Sequence, residues 1–125
     1  MSAKVVVVDD TAHVRAMLVV MLEIDGFKVA GQAGSGAQAI TIVDEHDPDV
    51  DIMDYQMPGM DGLEAARRIR ARRSDQPIIL YSAYLDSEIE RRAREAGVAL
   101  CVGKVEGLPQ LERHISELTR QISRS

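Results

Sequence analysis

Short apolar runs alternate with longer amphipathic ones along the whole chain, and that rhythm constrains the fold more than any single motif. Lys4–Val8 is unbroken and β-branched, which predicts a buried strand. From Thr11 to Asp25, Val14, Met17, Leu18 and Met21 recur at helical spacing, and Gly26 is placed to end the helix. A strand at Phe27–Ala33 follows, then a helix from Ser35 to His46 with Ala39, Ile40 and Val43 inward and Pro48 beyond its end. Val50–Met53 reads as a strand, Leu63–Arg72 as a helix, and Pro77–Tyr81 as a strand. Asp86–Ala96 reads as a helix closed by Gly97, and Val98–Val102 as the fifth strand. A last helix runs from about Leu108 to Ile122, with Leu111, Ile115 and Leu118 between. Strands separated by helices need crossovers, which make the sheet parallel and cover both its faces. The expected class is α/β, a doubly wound five-stranded parallel sheet.

Size and charge narrow the function. The chain has 125 residues, the length of one domain, since domains cluster around ~100–150 residues; residues 1–125 are expected to form a single one. A hydrophobic content of 46% excludes a disordered chain, and no apolar run approaches a membrane span. The run Val5–Val8 is too short for a signal peptide, and the lone Cys101 cannot form an intrachain disulfide, so a cytoplasmic protein is expected. Fifteen Lys and Arg face twenty Asp and Glu, a net charge of −5, which argues against direct nucleic-acid binding, because phosphate binding wants a positive field. The cluster Arg67-Arg68-Ile69-Arg70-Ala71-Arg72-Arg73 reads as a solvated helix face rather than a nucleic-acid patch, for an aromatic content of 3% leaves no set of stacking residues.

In an open parallel sheet, ligands bind beyond the carboxyl ends of the strands. Strand one ends in Asp9-Asp10, strand three in Asp54, strand four in Ser82 and strand five in Lys104. Any one of these has an ordinary explanation: a helix cap, a turn hydroxyl, a surface charge. The set does not. If strands one and three are neighbours, the three aspartates crowd together, and two like charges ~4 Å apart repel by roughly 4 kcal/mol at an effective dielectric near 20. A hard divalent cation with oxygen ligands relieves this, and Mg²⁺ suits a site with few carboxylates and room for phosphate oxygens. A carboxylate beside such a cation can accept a phosphoryl group, with a lysine and a hydroxyl offsetting its charge.

The residues that carry this chemistry resemble the receiver domain of bacterial two-component response regulators, of the chemotaxis-receiver kind, over nearly the whole chain. The matching pieces are Val8-Asp9-Asp10, Asp54-Tyr55-Gln56-Met57-Pro58-Gly59-Met60-Asp61-Gly62, Ser82-Ala83 and Lys104. The resemblance implies a flavodoxin-like sheet of order 2-1-3-4-5 and a phosphoacceptor at Asp54. It implies Mg²⁺ held by Asp10 directly, by Asp9 mainly through water, by Asp54 and by the Gln56 carbonyl, with Ser82 and Lys104 on the phosphoryl group. A histidine kinase, a phosphotransfer protein or a small acyl phosphate would be the donor, and an output protein or output domain the partner. No enzymatic activity is implied beyond self-catalysed phosphotransfer and dephosphorylation at Asp54.

The chain departs from the receiver pattern in two places. Proline usually follows the lysine; here Val105 does, and a non-proline bond is expected to be trans because its cis form costs ~2.5–4 kcal/mol. Three residues before the lysine an aromatic side chain is usual, whereas Cys101 has no ring to rotate. Tyr84 is the candidate to compensate, so switching is expected in the loop Ser82–Asp86; the resemblance implies an output face that includes Glu88, Arg91, Arg92, Glu95, Cys101 and parts of the last helix. Asp51, inside an apolar strand, is expected near the open N-terminal end of that strand, where it stays hydrated. Gly31–Gly36 reads as a plain strand-to-helix turn, and His13, His46 and His114 as solvated helix positions without metal spacing.

Three other functions compete. A phosphohydrolase of the haloacid dehalogenase type would need an acid-base aspartate where Gln56 stands, and a flavin carrier would find Asp9-Asp10 repelling its phosphate. A receiver fold that signals without phosphate is the third.

Overall fold

Every strand of the sheet is parallel to its neighbours, in the order β2-β1-β3-β4-β5. The strands are β1 (Lys4–Val8), β2 (Lys28–Ala33), β3 (Val50–Met53), β4 (Ile78–Ser82) and β5 (Leu100–Gly103). The helices are α1 (Ala12–Ile24), α2 (Gly36–His46), α3 (Gly62–Arg72), α4 (Ser87–Glu95) and α5 (Leu108–Arg124). This computed structural model describes residues 2–124, with side chains to Arg120.

Strand alternation sorts the core into two layers. Val6, Val8, Met53, Ile78 and Leu80 face α2, α3 and α4, where Ala39, Val43, Ala66, Ile69, Ile89 and Ala93 meet them. Val5, Val7, Val50, Ile52 and Ile79 face the other way, onto Leu22 of α1 and Leu111 and Ile115 of α5. Full burial of each such large side chain stabilises the fold by about 1.5–3 kcal/mol. Because α1 and α2 lie on opposite faces, the chain leaves β1 toward β2 on one side and returns toward β3 on the other. The reversal of order between β1 and β3 opens the crevice that holds the site.

Local chemistry sets the element ends. Ser35, Asp61 and Asp86 cap α2, α3 and α4, each side chain accepting from a backbone N–H of the first turn (Gln38, Glu64 and Ile89). Gly26, at φ +95, takes the left-handed turn after α1. Gln38 also accepts from the Gly34 N–H, so the expected strand-to-helix turn lies at Gly34–Ser35, while Gly31–Ala33 still belong to β2. The fifth strand starts later than its apolar run, because the Val98 N–H still bonds the Ala93 carbonyl and finishes the turn after α4.

Three expectations need revision. Asp51 is fully buried, and neither carboxylate oxygen finds a hydrogen-bond partner among the described residues. Its strand neighbours Val6 and Ile78 belong to the α2–α3–α4 core, and the entering loops carry the buried Pro48 and Gln76, so that strand end is closed. Burial pushes its carboxyl up to about 8, which leaves Asp51 protonated and neutral in the fold at pH 7. On α1, Met17 and Met21 are exposed and Leu22 is the fully buried residue. His46 packs across Gly31 and half-buried His114 lies 3.1 Å from Gln110 Nε2, so only His13 of the three histidines is a fully solvated position.

Candidate functional site

Backbone pairing brings the acidic residues together. The Asp54 N–H donates to the Val8 carbonyl at 3.0 Å, and the Asp9 N–H to the Ala33 carbonyl at 3.1 Å, so the ends of β1, β2 and β3 are level. As a result, carboxylate oxygens of Asp9, Asp10 and Asp54 lie within 4.8 Å of one another. Asp9 is 3% exposed, Asp54 half-buried and Asp10 open to solvent.

Each acidic group has a different set of partners. Asp9 is engaged at both oxygens: Oδ1 accepts from the Thr11 N–H at 2.9 Å and Oδ2 from Lys104 Nζ at 3.0 Å. Asp54 Oδ1 accepts from the Tyr55 N–H at 2.8 Å, and its Oδ2 stands 3.7 Å from Lys104 Nζ. Burial raises the Asp54 carboxyl above its ordinary value; Lys104 works against this, and Asp9 and Asp10 add to it. For Lys104, burial favours the neutral amine, but the Asp9 hydrogen bond and the charges of Asp54 and Asp9 prevail and raise it. The lysine therefore sits as a full positive charge between two carboxylates. The donor set is three clustered carboxylates with one side open to solvent, which fits a hard divalent cation that keeps part of its water.

Four of the sequence-predicted residues, Asp9, Asp10, Asp54 and Lys104, form one cluster. Ser82 lies on the same rim but is buried, and its hydroxyl donates to the Tyr84 carbonyl at 3.0 Å while accepting from the Tyr84 N–H at 3.3 Å. Gln56 is exposed and borders the same crevice as Asp10 and Asp61. Arg15 was not legible: its Nη1 donates to the Asp9 carbonyl at 2.6 Å and its Nε to Gln32 at 3.2 Å. A cation in the first turn of a helix opposes the helix dipole, and that is the signal that marks it. Tyr55 also escaped notice; its hydroxyl accepts from Arg92 of α4 at 3.3 Å and its ring packs against the α2–α3–α4 core.

Comparison with known proteins gives the family. The profile of the response regulator receiver domain matches residues 5–116. The chain belongs to that family. Among its relatives are a transcriptional regulatory protein of Mycobacterium tuberculosis, PdtaR, 37% identical over 75% of this chain and 45% of its own length. The chemotaxis protein CheY of Bacillus subtilis is 37% identical over 78% of this chain and 81% of its own. A crystal structure of a LuxR-family two-component response regulator from Aurantimonas superposes with a TM-score of 0.92 at 28% identity, covering 97% of this chain and 87% of the other. The chain spans about half the length of the first regulators it matches.

This receiver domain departs from its family's motif where the sequence indicated. The Lys104–Val105 peptide is trans, as expected. Residues Lys104–Glu106 form a short 3₁₀ turn, closed by Glu106 Oε2 accepting from the Gly103 N–H at 2.7 Å. Val105 is 91% exposed and anchors nothing. Cys101 is half-buried against the α2–α3–α4 core, with its thiol pushed up by burial and then by Glu90. Tyr84, at 59% exposure, makes no compensating core contact. The basic run on α3 is paired rather than free: Arg67 and Arg68 meet Glu64, Arg72 meets Asp44 and Arg73 meets Asp47. No helix among the described residues is long and apolar enough to cross a membrane.

Proposed function

We propose that the domain, taken as residues 1–125, is a Mg²⁺-dependent switch phosphorylated on Asp54. The observation that carries this reading is the placement of Asp54: half-buried, within 4.8 Å of two further carboxylates, and 3.7 Å from a lysine that is paired with one of them. In the reaction an Asp54 oxygen attacks phosphorus. The P–N bond of a phosphohistidine breaks with its electron pair left on the ring nitrogen, or the P–O bond of a small acyl phosphate breaks and releases the carboxylate. Mg²⁺, when bound, would neutralise charge on the transferring group. Asp10, open to solvent, would ligate it directly; Asp9, with both oxygens already engaged, would act mainly through water. Asp54 and the Gln56 carbonyl would complete the protein ligands. Lys104 pairs with the phosphoryl group, and Ser82 donates to it once its hydroxyl turns from Tyr84.

The donor would be a histidine kinase or phosphotransfer protein, and the recipient an output protein or domain, in the cytoplasm. Mixed charges on α4 support an orienting polar rim for that recipient: Arg91 pairs with Glu88 at 2.6 Å and with Glu95 at 2.8 Å. Apart from phosphotransfer and its own dephosphorylation, no turnover is proposed. The test is intact mass after incubation with acetyl phosphate, with and without Mg²⁺. One phosphate should be added only with the cation, and Asp54→Asn should abolish it. Phosphate on Ser82 or His13 would overturn the reading.

A further inference from the structure

Lys104 carries the positive charge of the site, yet little in its own loop holds it there. It opens a turn of three residues whose next member, Val105, projects into solvent, and the loop's side-chain restraint is the bond from Gly103 to Glu106. A lysine side chain has considerable rotamer entropy to lose when it is fixed. The bond to Asp9 Oδ2 holds the ammonium on one side, and a contact on another side would limit that freedom further.

The ring of Tyr81 is in that position. Lys104 Nζ lies 5.8 Å from its centroid, inside the ~6 Å over which a cation is attracted to an aromatic face. The pairing of β4 with β5 explains why: Tyr81 is level with Val102, and Ser82 with Gly103, so Lys104 leaves the strand end beside the tyrosine. Tyr81 itself is 8% exposed and belongs to the core beneath α1 and α5, so its ring is fixed before any ligand arrives. Tyr81 and Lys104 also line one apolar groove together with Val14, Leu18 and Leu108. Tyr84, the neighbouring tyrosine, is exposed and makes no cation contact of this kind among the described residues.

We propose that Tyr81 is a positioning residue for Lys104, its ring face holding the ammonium between Asp9 and Asp54 through a cation–π contact. The proposal rests on the phosphoacceptor reading for its kinetic consequence but not for the contact itself. It is tested by replacing Tyr81 with Phe, with Leu, and with mono-, di- and trifluorophenylalanine, which keep the ring's shape while draining its face of electron density. Three quantities are read: the rate of Asp54 phosphorylation by acetyl phosphate at saturating Mg²⁺, the ¹⁵N shift of Lys104 Nζ, and thermal unfolding. Tyr81→Phe should behave like the parent. Successive fluorines should slow phosphorylation in steps, to roughly a three- to tenfold loss overall, and move the Nζ resonance in parallel, with unfolding unchanged. If only Tyr81→Leu slows the reaction and the fluorines change neither rate nor resonance, the ring is packing alone and the proposal is overturned. If the parent accepts no phosphate at all, the phosphoacceptor reading falls, and the Nζ resonance still decides the ring contact.

Discussion

Lys104 Nζ stands 3.0 Å from Asp9 Oδ2, joining residues 95 positions apart across the mouth of the site. With Asp9 almost fully buried, the lysine is what makes its charge tolerable. Replacing Lys104 with methionine keeps the stem and removes the charge, leaving three carboxylates without their cation. The expected cost is about 1–3 kcal/mol in Mg²⁺-free buffer, below the ~3–5 kcal/mol for breaking a fully buried pair because the lysine is partly exposed. Saturating Mg²⁺ should recover part of that loss by screening the same carboxylates, while phosphorylation stays slow. Urea unfolding with and without Mg²⁺ reads both effects, and equal destabilisation in the two buffers would refute this account.

Gly62 sets how closely α3 approaches Asp54, the proposed phosphoacceptor. Its N–H donates to the Tyr55 carbonyl at 2.7 Å. A Cβ there would overlap the Asp54 carbonyl oxygen and come within 3.0 Å of the Asp54 carbonyl carbon and the Tyr55 Cα. These are backbone atoms of the site itself and cannot rotate aside. Gly62→Ala should therefore destabilise by about 2–3 kcal/mol, in the range of overpacked cores, and slow phosphorylation in the molecules that remain folded. Unchanged stability and rate would show that the β3–α3 loop shifts freely.

Asp51 predicts an unusual pH dependence. Its carboxyl is pushed up to about 8 in the fold, against ~3.9 in an unfolded chain. Between those values the unfolded chain has given up a proton that the folded chain keeps. Stability from this group is therefore fully present below about pH 4 and declines as pH rises toward 8, by at most ~1.4 kcal/mol per unit. Asp51→Val should raise stability at pH 7 by about 1–3 kcal/mol and flatten the decline, because an unpartnered buried polar group is replaced by an apolar one. Asp51→Asn, which leaves polar atoms unpaired, should gain less. Urea midpoints from pH 5 to 8 test it; a valine variant no more stable than the parent at pH 7.5 would sink the idea.

The same residue shows what sequence can and cannot carry. Asp9, Asp10, Asp54 and Lys104 were legible because each ends or follows an apolar run, and a parallel sheet sends such ends to one rim. Asp51 was misread because the strand pattern does not say which strand end is closed; that depends on Pro48 and Gln76, which come from separate loops. Arg15 and Tyr55 were missed because each contact involves a backbone group, the Asp9 carbonyl for Arg15 and its own N–H for Tyr55; only the cation in the first turn of α1 hinted at Arg15. The start of β5 was misplaced because Val98 looks like a strand residue while its N–H completes the turn after α4.

The hydrogen bonding of the Ser82 hydroxyl, also invisible in sequence, supports the proposed switch in the loop that follows it. At present that hydroxyl donates to the Tyr84 carbonyl and accepts from the Tyr84 N–H, tying the start of the Ser82–Asp86 loop to itself. To donate to a phosphoryl oxygen on Asp54 it must give up the carbonyl, and the loop loses one of its two local bonds. Asp86 is fixed at the far end as the cap of α4, accepting from the Ile89 N–H at 2.8 Å. The proposed motion would then lie between Ser82 and Asp86, where Tyr84 is exposed, and Cys101 has no ring to follow it. Amide shifts with and without beryllofluoride should change most over residues 82–86. Ser82→Ala, which lacks the hydroxyl in both states, should already show part of that displacement before beryllofluoride is added, and should respond less to it. Changes confined to residues 100–103, with the loop silent in both proteins, would place the switch in β5 instead.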